Sequence, residues 1–437
     1  MAMTTMRKRS PLITVLTILV IVSACFAGAA VAVQLPPVQE RLGWRLSEAR
    51  AAIWYALFPP EGIVFTPDPT LAAMVAATLT AFAPTTTPTP TDAPEVTIAP
   101  TATAGPTATP LPALVQLAGV LHEYQKWNNC GPATLAMGLS FWDWKGDQRP
   151  IAEFTKPNPR DKNVMPYELA NFVNDQTDLR AIVRPNGDLE LLKSLIAAGF
   201  PVIVEKGFEG YGFEGWMGHY ALVTGYDDAR QRVITQDSYI GSDFPFPYDD
   251  LMTYWRNFNY IYLVIFPPER EAEVMAVLGP NADETAAYQA AAQRASDEIY
   301  QLTGRDQLFA WFNRGTSLAE LQDYTGAANA YDNYLQLDAQ MAIDDPEHRP
   351  YRMLWYQTGP YKAYYGTGRT TELINLATVT LGAMVEPVLE ESYYWRGLAR
   401  EAVGDVPGAI EDLRTSLEDH PDFGPALVQL RRLGVDV

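Results

Sequence analysis

The sequence predicts an α+β unit followed by an all-α helical-repeat region. Two observations predict this organisation. Between residues 113 and 270, apolar residues at helical spacing give way to short runs rich in Val, Ile and Tyr. Between residues 283 and 437, Ala, Tyr, Leu and charged residues recur at helical spacing with few strand signals. A chain of 437 residues is also too long for one ordinary core, so separate folded units are expected.

The composition indicates a folded, acidic protein. Hydrophobic residues make up 48% and aromatic residues 11% of the chain, which is enough to build cores. The 52 acidic residues outnumber the 32 basic residues and give a net charge of -20. Nucleic-acid-binding proteins present basic surfaces, so this balance argues against a nucleic-acid partner.

The N-terminal segment, residues 1–35, is typical of a membrane anchor. Three basic residues at positions 7–9 precede an apolar run with no charged residue before Glu40, which predicts a single transmembrane helix with its basic end in the cytoplasm. Two alternatives are a lipoprotein signal ending at Cys25 and a cleaved signal peptide with a small-residue site at 30–32, which would give a secreted protein. All three place the bulk of the chain outside the cytoplasm.

Two segments separate this anchor from the α+β unit. Residues 36–82 contain amphipathic and Ala-rich stretches and are predicted to be a helical juxtamembrane segment. Residues 83–112 are rich in Pro and Thr and contain no aromatic residue, Lys or Arg. Such a composition cannot bury a core, so this segment is predicted to be a disordered, extended stalk.

The α+β unit at 113–270 has three predicted helices and four predicted strands. The predicted helices lie at 130–144, 165–175 and 188–200. The predicted strands lie at 200–207, 219–228, 232–238 and 260–268.

Cys130, in the stretch YQKWNNCGPATLAM, is a candidate nucleophile. The only other cysteine, Cys25, lies in or beside the membrane segment, so an intramolecular disulfide is not expected. An unpaired cysteine can be a small core residue or a nucleophile. Cys130 begins a predicted helix with Pro132 in its first turn, and the helix dipole at that position favours a thiolate.

His219 is the histidine best placed to act as the base for Cys130. It opens a predicted strand directly after the Gly- and aromatic-rich stretch KGFEGYGFEGWMG. His122 lies shortly before Cys130 and is a weaker candidate, whereas His348 and His420 occur in polar, turn-like contexts and are expected to be exposed loop residues. The glycine-rich stretch itself could be a flap whose Trp216 lines the cleft, or a surface loop with packed aromatic side chains.

Asp237 and Gln125 complete a candidate catalytic set. The strand that ends at Asp237 follows the His219 strand after a turn, so an antiparallel hairpin would bring Asp237 back toward His219. Asp237 could then accept from the imidazole and fix its tautomer. Gln125 precedes Cys130 closely and could donate its amide N–H to an oxyanion, together with the Cys130 backbone N–H.

The stretches QKWNNCGPATLAM, GHYALVTGYDD and VITQDSY resemble the conserved blocks of family 39 of the papain-like cysteine peptidases, which includes the bacteriocin double-glycine leader peptidases. The resemblance implies a papain-like fold, a peptide or protein substrate and no cofactor. It also implies that Cys130 is the nucleophile, His219 the base, Asp237 the orienting residue and Gln125 an oxyanion donor.

The region at 283–437 contains an internal repeat. Segments 311–338 and 393–421 share a glycine (Gly315, Gly397), an alanine (Ala327, Ala409) and a bulky residue (Tyr331, Leu413) at equal spacing. This pattern resembles the tetratricopeptide repeat, in which small residues let two helices pack closely. The resemblance implies a concave surface for a protein or peptide partner. The alternative is a helical appendage that only packs on the α+β unit.

These observations predict a membrane-tethered, extracytoplasmic cysteine peptidase. One alternative is a catalytically idle binding or scaffold module with the same fold, and another is acyl transfer to an amine by the same residues. No pair of Cys or His residues stands at metal-ligand spacing, so the sequence predicts no metal site.

Overall fold

The computed structural model of this chain describes residues 110–209 and 215–436. The predicted membrane anchor, the juxtamembrane segment and nearly all of the stalk lie outside these residues, as does the middle of the predicted flap. Within the described ranges, no helix combines the length and the apolar character needed to cross a membrane.

The first part of the described chain is built on a seven-stranded antiparallel sheet. Its strands are β1 (Leu114–Gln116), β2 (Arg180–Arg184), β3 (Val202–Phe208), β4 (Met217–Asp227), β5 (Arg232–Asp237), β6 (Gly241–Pro247) and β7 (Tyr262–Phe266). They are ordered β2-β7-β3-β4-β5-β6, and β1 pairs with the end of β4 that extends beyond β3. The helices around the sheet are α1 (Cys130–Ser140), α2 (Gln148–Thr155), α3 (Pro166–Gln176), α4 (Leu189–Ala197) and α5 (Tyr248–Arg256).

The alternation of side chains along the central strands supplies a core on each face of the sheet. Val202 and Val204 of β3 belong to one cluster with Trp255 of α5, whereas Ile203 belongs to the opposite cluster with Leu135 of α1. A strand whose two faces are both covered is apolar throughout, so its pattern is continuous rather than alternating. Strand β7 has this property along its whole length, and β3 has it from Val202 to Val204.

The chain continues as a helical region after β7. Its helices are α6 (Glu271–Leu278), α7 (Glu284–Gln301), α8 (Gly304–Glu320), α9 (Tyr324–Asp344), α10 (Met353–Tyr356), α11 (Gly359–Gly366), α12 (Thr370–Gly382), α13 (Glu390–Ala402), α14 (Val406–Asp419) and α15 (Gly424–Arg432). The prediction of an α+β unit followed by an all-α region is therefore confirmed.

The glycines of the internal repeat lie where two consecutive helices approach most closely. A Cβ atom on Gly315 of α8 would lie 2.7 Å from the ring of Tyr331 on α9. A Cβ atom on Gly397 of α13 would lie 3.1 Å from the Leu413 side chain on α14. The shared glycine and bulky residue of each copy thus face each other across a helix pair, which explains why both recur in the sequence.

The helical region packs directly on the sheet-bearing part through buried polar contacts. Asn259, between α5 and β7, donates its backbone N–H to Asn313 Oδ1 at 3.1 Å and its side-chain Nδ2 to Ser317 Oγ at 3.0 Å. Asn313 in turn donates to the carbonyl of Arg256 at 2.7 Å. Because buried polar groups need partners, these bonds specify one arrangement of the two parts.

Candidate active site

Cys130 is the first residue of α1 and lies against the central strand β4. The helix is held there by Thr134, whose Oγ1 donates to the Tyr220 carbonyl at 3.2 Å. The residue before the helix, Asn129, donates from Nδ2 to Gln148 Oε1 at 3.2 Å and so ties the start of α1 to α2. The sulfur of Cys130 is partly buried and unpaired, at the positive end of an 11-residue helix.

His219 lies near the start of β4, opposite Lys206 on β3. Its side chain is 4% exposed, and its Nε2 atom is 3.0 Å from Asp237 Oδ1. The Phe208 ring covers the imidazole at a centroid distance of 4.7 Å. These contacts fix the plane of the imidazole, and because Asp237 occupies Nε2, Nδ1 is the nitrogen that can face Cys130.

Asp237 ends β5 in a tight turn that fixes its carboxylate. Oδ1 accepts the backbone N–H of Tyr239 at 2.9 Å and that of Ile240 at 3.0 Å, in addition to the contact with His219. The hairpin of β4 and β5 thus brings Asp237 close to His219. The pairing of the two strands shifts its register directly after Val223 of β4. Burial opposes ionisation of Asp237, but the His219 charge and hydrogen bond, with Lys206, hold its pKa below the ordinary value.

The electrostatics of the site favour a thiolate and an imidazolium. Burial alone would raise the pKa of the Cys130 thiol, but the hydrogen bond and charge of His219, together with the backbone N–H groups of Tyr220 and Gly131, lower it overall. Burial alone would lower the pKa of His219, yet the charge and hydrogen bond of Asp237 and the contact with Cys130 raise it to about 9. The structure therefore joins His219 to Asp237 by a hydrogen bond and places Cys130 near enough to His219 for their charges to act on each other.

Gln125 is hydrogen-bonded to Ser238, the residue that follows Asp237. Its backbone N–H donates to the Ser238 carbonyl at 2.9 Å, and its Oε1 accepts from Ser238 Oγ at 2.9 Å. The amide oxygen of Gln125 accepts from Ser238, which leaves the amide NH2 group to donate to another acceptor. Its donation to an oxyanion remains a prediction.

Among the other histidines, His122 lies near the site: burial lowers its pKa, and the charge of Asp237 opposes this shift. Its ring packs edge-on against Tyr124 at a centroid distance of 4.7 Å. His348 is exposed and pairs with Asp345, as expected for a loop residue. The side chain of His420 is only 12% exposed, because it pairs with Glu390 across two helices of the helical region. The prediction that His420 is an exposed loop residue was wrong, because Glu390 lies far from it in the sequence and no local pattern indicates the pairing.

Glu205 and Lys206 are two site residues that the sequence analysis did not single out. Both are buried on β3. Burial and the nearby Cys130 raise the pKa of Glu205 well above its ordinary value. Burial lowers the pKa of Lys206, whose ammonium lies over the Phe208 and Phe246 rings at 5.1 and 5.2 Å. Two adjacent charged residues within the apolar run FPVIVEKGF were the available signal.

The helical region covers the strand that carries His219. A Cβ atom on Gly218 would lie 2.8 Å from the Phe258 ring and 3.0 Å from Tyr356 of α10, so only glycine fits beside His219. Trp216 is 1% exposed and packs on Phe258 at 5.5 Å and on Phe309 at 5.7 Å. Trp216 is therefore a core residue between the two parts of the chain, not the lining of an open cleft.

The sequence model of the Peptidase_C39 like family matches residues 110–262. This segment is a C39-like domain. All four predicted site residues lie within it, and the resemblance to family 39 is confirmed. No curated protein matches the chain.

One solved structure similar to part of this chain comes from Bacillus anthracis and is described as a C39-like peptidase. The match covers 35% of this chain and 96% of that one, with 16% sequence identity and a TM-score of 0.29. The helical region that follows the C39-like domain lies outside the residues matched by the family.

Proposed function

We propose that this protein is a membrane-tethered, extracytoplasmic cysteine peptidase that hydrolyses peptide bonds with Cys130, His219 and Asp237. The contact of 3.0 Å between His219 Nε2 and Asp237 Oδ1 is the observation that carries the proposal. It leaves the second imidazole nitrogen for Cys130, whose thiol pKa is lowered by His219. The site then contains a nucleophile, a base beside it and a residue that orients the base, which is the arrangement that thiol catalysis requires.

The proposed reaction proceeds through a thioester. The Cys130 thiolate attacks the carbonyl carbon of the scissile peptide bond, and the resulting oxyanion accepts hydrogen bonds from the Gln125 side chain and the Cys130 backbone N–H. The C–N bond breaks as the His219 imidazolium gives its proton to the leaving amine. His219 then takes a proton from water, the hydroxyl attacks the thioester carbonyl, and the Cys130 thiolate leaves as the carboxylic acid forms.

Membrane tethering is proposed from the N-terminal sequence. The basic residues at 7–9 and the apolar run that follows suit a transmembrane helix, and the Pro/Thr-rich stalk would hold the C39-like domain away from the bilayer. Membrane fractionation of the full chain and of a chain without residues 1–35 tests this point. The full chain should sediment with membranes, and the shortened chain should be released.

We also propose that the helical region holds a protein or peptide partner. Helices α7, α8 and α10 pack against the C39-like domain, and Glu390 and His420 approach it, so a partner would bind the remaining surface of the later helices. Their surface carries the exposed apolar side chains Val403, Val406 and Val428. Capture of a peptide substrate by the wild type, lost on Val403→Asp but with hydrolysis of short peptides retained, would support this assignment.

Labelling with a thiol-directed peptide probe tests the peptidase proposal. The full chain with Cys25→Ser, in which Cys130 is the single thiol, should be labelled at Cys130 and should hydrolyse members of a peptide library. The chain with Cys130→Ser should do neither. If peptides bind equally to the wild type and to Cys130→Ser and neither cleaves them, the idle binding module is the better description. If added amines increase product yield at the expense of hydrolysis, acyl transfer is the better description.

A further inference from the structure

Three side chains from distant parts of the sequence meet where the helical region contacts the C39-like domain. They are Glu168 on α3, Glu390 at the start of α13 and His420 directly after α14. One ligand atom from each lies within 4.8 Å of the others. The Glu390 and His420 side chains are 4% and 12% exposed, and Glu390 Oε1 is 3.0 Å from His420 Nδ1. Glu168 is 8% exposed, so the three side chains are largely shielded from solvent.

A fourth side chain at this place has an oxygen without a partner. Asp419 precedes His420 and is only 9% exposed. Its Oδ2 atom has no hydrogen-bond partner among residues 110–209 and 215–436. Asp419 is thus a further buried acid next to the proposed ligand His420 in the sequence. A buried carboxylate oxygen without a partner is costly unless a cation or proton compensates it.

The buried charges around this group are predominantly acidic. Asp161 and Glu391 are also buried here, and the Asp161 charge acts on both Glu168 and Glu391. The buried cation among them is Lys156, whose Nζ donates to the Asp161 backbone carbonyl at 2.9 Å. Arg160, close to Asp161 in the sequence, is exposed. Five buried carboxyl groups therefore outnumber the buried basic side chains near them, and this imbalance favours binding of a positive ion.

We propose that Glu168, Glu390 and His420 bind one divalent transition-metal ion, Zn²⁺ or Mn²⁺. Carboxylates with one imidazole form a mixed oxygen and nitrogen set that suits these ions. Zn²⁺ binds such atoms at about 2.0–2.2 Å, so small side-chain rotations would bring the present atoms into coordinating positions. The metal would replace the proton between Glu390 and His420.

Such an ion would join the helical region to the C39-like domain close to the catalytic strand. Glu168 lies on α3, and the chain just before α3 accepts a hydrogen bond at the Val164 carbonyl from Tyr220 Oη at 2.8 Å. Tyr220 is the neighbour of His219 on β4. A metal at Glu168 would therefore stabilise the segment that supports the candidate active site. The proposed metal binding does not depend on peptidase activity.

Metal binding to the full chain tests the inference. The full chain in detergent, freed of metal with EDTA and dialysed, is titrated with ZnCl2 and with MnCl2 in a calorimeter, and bound metal is counted by mass spectrometry. One equivalent of either ion should bind, and the thermal midpoint should rise with metal concentration. Glu390→Gln and His420→Ala should each weaken that binding by at least about 10-fold. The matched control is His348→Ala, which removes an exposed His–Asp pair in the same region and should leave binding unchanged.

Two results would overturn the inference. One is the absence of saturable one-to-one binding of either ion by the wild type. The other is unchanged binding in Glu390→Gln, which would show that the metal sits on ordinary surface acids. Far-UV circular dichroism checks that each variant folds. If His420→Ala does not fold, the nearly isosteric variants Glu390→Gln and Glu168→Gln decide the question.

Discussion

His219 Nε2 lies 3.0 Å from Asp237 Oδ1, and the same oxygen accepts two backbone N–H groups, from Tyr239 and Ile240. The backbone donors hold the carboxylate in place independently of the imidazole. Asp237 can therefore orient His219 without itself moving, which is the requirement for a residue that fixes a tautomer.

Removal of this carboxylate should impair catalysis more than binding. Asp237→Ala leaves the imidazole without its orienting partner, so kcat on a peptide substrate should fall by about 100-fold or more while KM changes little. Steady-state kinetics with a fluorogenic peptide measure both quantities. Asp249→Asn, an exposed acid at the start of α5, is the control and should retain wild-type kinetics. Equal kinetics for Asp237→Ala and the control would contradict the assigned role.

The pH profile of kcat/KM should report the pKa of His219. The imidazolium is the proton donor to the leaving amine, and its pKa is raised to about 9, so kcat/KM should fall as pH rises through about 9. Asp237 raises this pKa, and Asp237→Ala should therefore shift the alkaline limb to lower pH, by about one unit or more.

The charge of Lys206 should affect the alkaline limb of the pH profile in the direction opposite to the charge of Asp237. Its positive charge lowers the pKa of His219, so Lys206→Met should shift the alkaline limb to higher pH. The methionine keeps an unbranched side chain and removes only the ammonium, which lies over the Phe208 and Phe246 rings. Shifts of the same sign in Lys206→Met and Asp237→Ala would show that the pH limb does not belong to His219.

Gln125 should matter for the rate and much less for substrate affinity. Loss of one oxyanion donor costs about 10²–10³-fold in kcat. Gln125→Ala should show a loss of that order with a nearly unchanged KM. Ser238→Ala, which only removes the hydrogen bond to the Gln125 amide oxygen, should lose less. A Gln125→Ala variant that is fully active would remove Gln125 from the mechanism.

Trp216 should contribute mainly to stability. It is buried between the C39-like domain and the helical region, and its Nε1 donates to Asn257 Oδ1 at 2.8 Å. Trp216→Ala should lower the free energy of unfolding by about 3–5 kcal/mol, measured by urea denaturation. Tyr300→Ala, at a side chain that is 48% exposed, should change it by less than about 0.5 kcal/mol. A loss below about 1 kcal/mol for Trp216→Ala would contradict the packing described above.

The sequence predicted the elements that carry the candidate site because their local signals are strong. The helix that begins at Cys130 and the strands that contain His219 and Asp237 lie where the apolar patterns placed them. Strand β6, with the sequence GSDFPFP, was not predicted, because it contains two prolines and is largely exposed at the edge of the sheet. Helix α5 was also not predicted, since it is short and begins with a polar turn.

Contacts between distant segments could not be predicted in the same way. The burial of Trp216 depends on Phe309 and Tyr356, which follow it in the helical region. The glycine-rich local sequence therefore suggested a flap with Trp216 lining the cleft, whereas Trp216 is buried in the core. The group of Glu168, Glu390 and His420 likewise comes from separate elements and has no local motif.

The rate of Cys130 alkylation as a function of pH tests the central claim most directly. In the Cys25→Ser background, iodoacetamide modification of Cys130 should already proceed through the thiolate at neutral pH, with an apparent pKa clearly below about 8.5, the ordinary thiol value. Asp237→Ala should raise that apparent pKa, because the imidazolium that stabilises the thiolate is weakened. An ordinary thiol pKa that Asp237→Ala leaves unchanged would contradict the proposed catalytic chain of Cys130, His219 and Asp237.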